Sequence, residues 1–171
     1  MFLTGRYDSV PWDATSRNVT DQRIEKWAGW LEGTIKSNVF TMHLQRVAWR
    51  EVSEMLAENS DALPESYWWE FMRDTYATTQ AVAVRRQADT MRGVASLGRL
   101  IQEVGADAGR ITRDFFLTHQ SSEDPYWQHV ARQNWAEAYA GAVDDHLDPV
   151  IPEADLAELT TVAAKVRHFV D

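Results

Sequence analysis

The chain has 171 residues, 44% of them hydrophobic and 25% charged, the balance of one folded domain and not of a disordered segment. It has no cysteine, which excludes a disulfide framework, a thiolate zinc site and a cysteine nucleophile. A net charge of −9 disfavours indiscriminate binding to polyphosphates or anionic membranes, so any nucleic-acid contact has to be local.

Residues 1–19 carry Pro11 and no helical period, and read as an extended arm that packs through Tyr7 and Trp12. The first residues lack the apolar run of a signal peptide, and no uncharged apolar stretch reaches about 18 residues, so the expected location is the cytoplasm. Residues 20–171 are expected to form a single helical domain.

Thr20 is placed as an N-cap, and Ile24, Trp27, Leu31 and Ile35 recur at helical spacing. The period drifts on through Val39, Met42, Val47, Trp49, Val52 and Leu56 to Asn59 and Pro64. One long helix fits, and so do two collinear ones, with Gly29 and Gly33 weakening the first part and Ser37-Asn38 marking the break.

Ser66 caps the next run, whose stripe is Trp69, Phe71 or Met72, Tyr76, Thr79 or Gln80 and Ala83, as far as about Met91, with Gly93 closing it. Ser96 starts a shorter helix with Leu97, Leu100, Ile101 and Val104 inward, ended by Gly105 and Gly109. Ile111 to Leu117 is a short piece. A helix from about Tyr126 to Asp145 buries Trp127, Val130, Trp135, Ala138 and Ala142. The last begins at Pro152 or slightly earlier, with Leu156, Leu159, Ala163, Val166 and Val170 in one stripe. No strand or hairpin signal and no internal repeat occurs, so the expected class is all-α, a helical bundle of five to six helices.

Four features are candidates for chemistry. Eight tryptophans could stack on bases, but their neighbours Glu25, Glu32, Glu51, Glu70 and Glu137 favour core or subunit packing. Arg85, Arg86, Arg92 and Arg99 form a basic group that could hold RNA phosphates; the simpler reading pairs Arg85 or Arg86 with Asp89 and gives the others to caps and salt bridges. Asp144, Asp145, His146 and Asp148 crowd a helix end without a ligand pair at metal spacing, so no metal is expected there. Finally, Arg113-Asp114 followed by His119 matches a short arginine-to-histidine ribonuclease pattern. Histidine moves a 2′-hydroxyl proton near neutral pH, and arginine stabilises the charge on the phosphate.

The run AVAVRRQAD (residues 81–89) followed by VASLGRLI (94–101) resembles the central block of bacterial abortive-infection-type, AbiU-like HEPN proteins. Ile111-Thr112-Arg113 and the stretch from His146-Leu147-Asp148-Pro149 through Ala154-Asp155-Leu156 to Val166–Val170 are similar too, so that the likeness runs in order over residues 38–171. It implies a HEPN-like bundle, a role in phage defence or a toxin-antitoxin type system, a dimer, and a metal-independent cut of RNA without a cofactor. The family's histidine follows the segment like Val166–Val170, past Asp171, so the expectation is no ribonuclease activity, or a trace, with Arg113, Asp114 and His119 outside the family's motif position. The rival class is a non-enzymatic helical interaction module. Candidate partners are therefore a second copy, through aromatic and alanine-rich faces, and an RNA or a protein. An Arg and a His converging in a groove favour the enzyme; an exposed apolar patch favours the module.

Overall fold

The computed structural model describes residues 21–59, 66–119, 124–139 and 145–166. The expected arm, Thr20, Ala142 and Val170 lie outside them. Among the described residues the chain is all-α, and its one extended feature is an isolated bridge between Thr112 and His146. The elements are α1 (Asp21–Trp30), α2 (Lys36–Glu58), α3 (Tyr67–Ala88), α4 (Leu97–Ala106), α5 (Arg113–His119), α6 (Pro125–Asn134) and α7 (Val150–Lys165). A π-helical turn, Leu31–Ile35, joins α1 to α2 without leaving helical backbone, so these two make one rod, and the helices among the described residues number six.

The irregularity in that rod falls at Leu31–Ile35, and the expected break at Ser37-Asn38 is regular helix. The reason is geometric. Trp27 and Ile35 are both buried. Eight residues of regular helix would rotate one from the other by about 80°. The wider turn rotates less per residue and removes most of that angle. Leu31, expected inward, is left exposed.

After the rod the chain doubles back. Gln80 Nε2 donates to Gln45 Oε1 at 2.8 Å, and Trp49 stacks on Tyr76 with ring centroids 4.9 Å apart. These two pairs fix an antiparallel register; continued at coiled-coil spacing it brings Met42 level with Ala83, Val52 with Arg73 and Leu56 with Trp69. On each helix the seam advances by alternate steps of four and three residues, the spacing of a coiled coil. Ser66 stands at the N-cap of α3, where its carbonyl, not its hydroxyl, accepts from Trp69 and Glu70 N–H.

The turn to α4 is tightly built. Gly93 takes φ +90°, open to glycine at little cost, and α3 has already ended at Ala88, short of the expected Met91. Ser96 Oγ donates to the Asp89 carbonyl and accepts from Arg99 N–H at 3.2 Å, so the hydroxyl caps α4 as its position in the sequence suggested. Gln87 Oε1 accepts from Leu97 N–H at 3.2 Å. Gly98 then lies so close to α3 that a Cβ there would sit 2.9 Å from the Ala88 carbonyl oxygen.

α7 packs against both α3 and α4, with Pro152 against Gly105, which belongs to the last turn of α4. Asp148 Oδ1 accepts from Val150 N–H at 3.0 Å and holds the start of α7. The apolar centre of this end is Ala108, Trp135 and Leu147, with Val104, Ile111 and Phe116 against it. Trp135 lies in a second π-helical turn, Trp135–Tyr139, where the expected long helix loses its regular form after Asn134. The inward face of α6 is Ala131 and Trp135, whereas Trp127, expected inward, is exposed two turns before the core begins. Ala138 is likewise exposed.

Candidate functional site

The described residues leave one conspicuous surface, on the α2–α3 hairpin. No residue of α2 is buried, and its main partner is α3. Residues one position before the seam on α2 include Leu44, Ala48 and Met55; on α3 they are Trp68, Met72, Thr75, Thr79, Val82 and Arg86. In an antiparallel pair of right-handed helices these two stripes project from the same side. Leu44, Met55, Trp68 and Val82 are 51%, 47%, 58% and 47% exposed, and Met72 is exposed beside them. Five large apolar side chains on one face are unusual for a surface without a partner. Phe71 stands at its edge, 6.1 Å from Trp68, and a shallow depression of about 410 Å³ runs along α3 between Tyr67 and Thr79.

Charge is sorted along the same hairpin. Residues 36–50 and 75–88 contain Lys36, Arg46, Arg50, Arg85 and Arg86 and no acid, whereas residues 51–58 and 67–74 contain Glu51, Glu54, Glu58, Glu70 and Asp74 against Arg73 alone. The tip is acidic and the root basic.

The arginine group predicted from sequence is not one patch. Arg99 turns inward: its Nε donates to Glu103 Oε1 at 3.1 Å, and one terminal nitrogen donates to Gln102 Oε1 at 2.7 Å. It is a structural residue at the α1–α4 contact. Arg85, Arg86 and Arg92 are exposed around the end of α3, and the Asp89 carboxylate accepts from the Met91 amide at 2.8 Å.

Arg113 and Asp114 are exposed in the first turn of the seven-residue α5, and His119 is its last residue. Close to Arg113 the structure places another histidine. Arg113 N–H donates to the Asp145 carbonyl at 2.9 Å, and His146 Nδ1 lies 2.6 Å from Asp145 Oδ1. Asp144 lies outside the described residues. Among the described residues no group of three or more His, Asp or Glu is arranged to hold a metal.

One feature was missed from the sequence. Glu103, on the helix whose inward face was read as Leu97, Leu100, Ile101 and Val104, is buried. It accepts from Lys26 Nζ at 2.7 Å and Trp27 Nε1 at 3.0 Å, and pairs with Arg99. Burial alone would raise its pKa, but the hydrogen bonds from Lys26 and Trp27 and the charges of Lys26 and Arg99 prevail and lower it from 4.5 to about 2. One turn on, Asp107 pairs with Arg23 and lies 3.6 Å from Arg110. These carboxylates are spoken for by the fold. The available signal was Arg99 at helical spacing before Glu103.

No family model, curated protein or solved structure matches this chain. Among the described residues no helix is long and apolar enough to cross a membrane.

Proposed function

We propose that this chain is a HEPN-like helical domain of a bacterial phage-defence or toxin-antitoxin type system, and that it works as an interaction module which docks protein on its α2–α3 hairpin. The observation that carries the docking role is the uncovered apolar face of Leu44, Met55, Trp68, Met72 and Val82. The family reading is supported by where the similar blocks fall. Residues 81–89 end α3, residues 94–101 open α4, Thr112 and His146 meet in the bridge, and Ala154 to Leu156 lie in α7, which packs on α3 and α4. Segments far apart in sequence thus form one contiguous unit.

Cleavage by Arg113 and His119 is the weaker use of this fold, because these residues lie outside the position at which the resembled family keeps its motif. With a chelator present, a structured RNA should stay intact or be cut only at a trace level unchanged by His119→Ala. Robust cleavage abolished by that substitution would make Arg113 and His119 the active site. Covalent labelling tests docking: Trp68 and Met72 should be protected in the producing cell relative to dilute purified protein. Equal labelling removes the basis for the module.

A further inference from the structure

We infer that the occupant of the hairpin face is a second copy of this chain, docked so that the two hairpins run antiparallel; the inference rests on the reading of the hairpin as an interaction element. The α3 stripe Trp68, Met72, Thr75, Thr79, Val82 and Arg86 advances by steps of four, three, four, three and four. It is therefore a second coiled-coil seam, beside the one that α2 occupies.

The seam is also self-complementary. A two-fold axis level with Ala77 sets Thr75 opposite Thr79 of the second copy, Met72 opposite Val82 and Trp68 opposite Arg86. Small residues meet at the axis, where two helices approach most closely, and larger apolar residues meet on either side. At the ends a guanidinium faces an indole, a favourable cation–π pair. Every pair occurs twice, as an isologous contact requires.

Charge selects this partner and this direction. In the antiparallel arrangement the tip, with Glu51, Glu54, Glu58, Glu70 and Asp74, lies along the root of the other copy, with Lys36, Arg46, Arg85 and Arg86. A parallel arrangement would set tip against tip and root against root. A uniformly acidic or basic partner would be repelled by one half of the hairpin. The same gradient reversed satisfies both halves, and a second copy supplies it. Such charges set orientation and association rate, while burial of Trp68, Met72 and Val82 supplies affinity.

The test uses the full chain. Sedimentation at micromolar concentration should give twice the chain mass, and Met72→Glu, checked for unchanged helicity and melting, should weaken association by more than about tenfold. As the chain has no cysteine, register can be read directly. Thr75→Cys and Thr79→Cys variants should cross-link faster when mixed than either does alone. Faster linking of each alone indicates a parallel pairing and overturns the arrangement. A photo-crosslinking residue at position 72 in the producing cell separates the remaining outcomes. A product of twice the chain mass supports the proposal. A product with a different protein only overturns the second copy and keeps the hairpin as a docking element. No product, with a monomer in sedimentation, overturns both.

Discussion

The head and the hairpin of this molecule are held by opposite means. In the head, α1 and α4 are joined by buried charge: Glu103 gathers Lys26, Trp27 and Arg99, and Asp107 gathers Arg23 and Arg110. In the hairpin the contact is a two-helix seam, part aromatic and part amide, with one apolar face left in solvent. Paired buried ions specify one geometry, because removing any partner strands a charge. A two-helix seam specifies register but leaves each helix with a surface to give to something else. The head is built to be fixed and the hairpin to be used.

The largest effect should come from stranding the head's cations. Glu103→Ala leaves Lys26 and Arg99 without their acceptor and should destabilise by about 3 kcal/mol, toward the lower end for a buried pair because Lys26 is 45% exposed. Chemical denaturation with helicity as the signal measures it. Acid should act on the same residue. A carboxyl lowered from 4.5 to about 2 adds stability that is complete above the higher value and is lost as pH falls toward the lower. The α1–α4 contact should therefore loosen between about pH 4.5 and 2, and Glu103→Gln should flatten that part of the profile. An unaltered acid profile would mean that other carboxylates govern it.

Next in size is the crossing of α3 and α4. Gly98→Val places a Cβ 2.9 Å from a backbone oxygen that has no rotamer by which to yield, and should cost about 2 kcal/mol. Gly29→Ala, where nothing lies within 4 Å, should instead stabilise the rod slightly, by up to about 1 kcal/mol. If the two glycines respond alike, the close approach at Gly98 is not a constraint.

On the hairpin the comparison reverses sign. Met72→Glu should alter the stability of the single chain by less than about 0.5 kcal/mol, since an exposed side chain loses little on becoming polar. Its effect belongs to association. A substantial loss of monomer stability would show that the face is already covered within one chain.

How much of this was legible follows from the kind of signal involved. Short-range signals carried through: Ser96 at an N-cap, Gly93 in the turn and the start of α7 near Pro152 stand where local stereochemistry asked for them. Of the periodic residues on the rod and α3, Trp49 and Tyr76 meet across the seam, whereas Val39, expected in the same stripe, is exposed. The hydrophobic period fails where it must say what covers a face. Met72 and Trp127 carry the same mark as Trp135, yet only Trp135 has a core to enter. It fails again at Glu103, because a carboxylate on a helix reads as outward until its partners on α1, some 77 positions away, are in place. The arginine group was split for the same reason, Arg99 being claimed by a carboxylate that the sequence did not place inside. The candidate site was thus less legible than the fold: of its five apolar residues only Met72 stood in a helical stripe, and there as an inward residue, because exposure is a tertiary fact.

The smallest effect tests the seam itself. Gln80 donates to Gln45 across it at 2.8 Å, in positions where a two-helix contact ordinarily carries leucine. Gln45 is exposed and Gln80 half-buried, so water competes for both amides and the bond adds little net stability. Replacing both by leucine removes two polar groups together and strands neither, and should leave the chain as stable or raise stability by up to about 1 kcal/mol. The amide pair's contribution is then to fix register, because two amides can meet only when Gln45 stands opposite Gln80, whereas leucines tolerate a slip of one turn. That slip would displace Trp68, Met72 and Val82 along the outer face relative to Leu44 and Met55. The double leucine variant should thus melt no lower than the parent and yet associate less well. If it associates as the parent does, the register is held by the Trp49–Tyr76 stack, and the amides are dispensable.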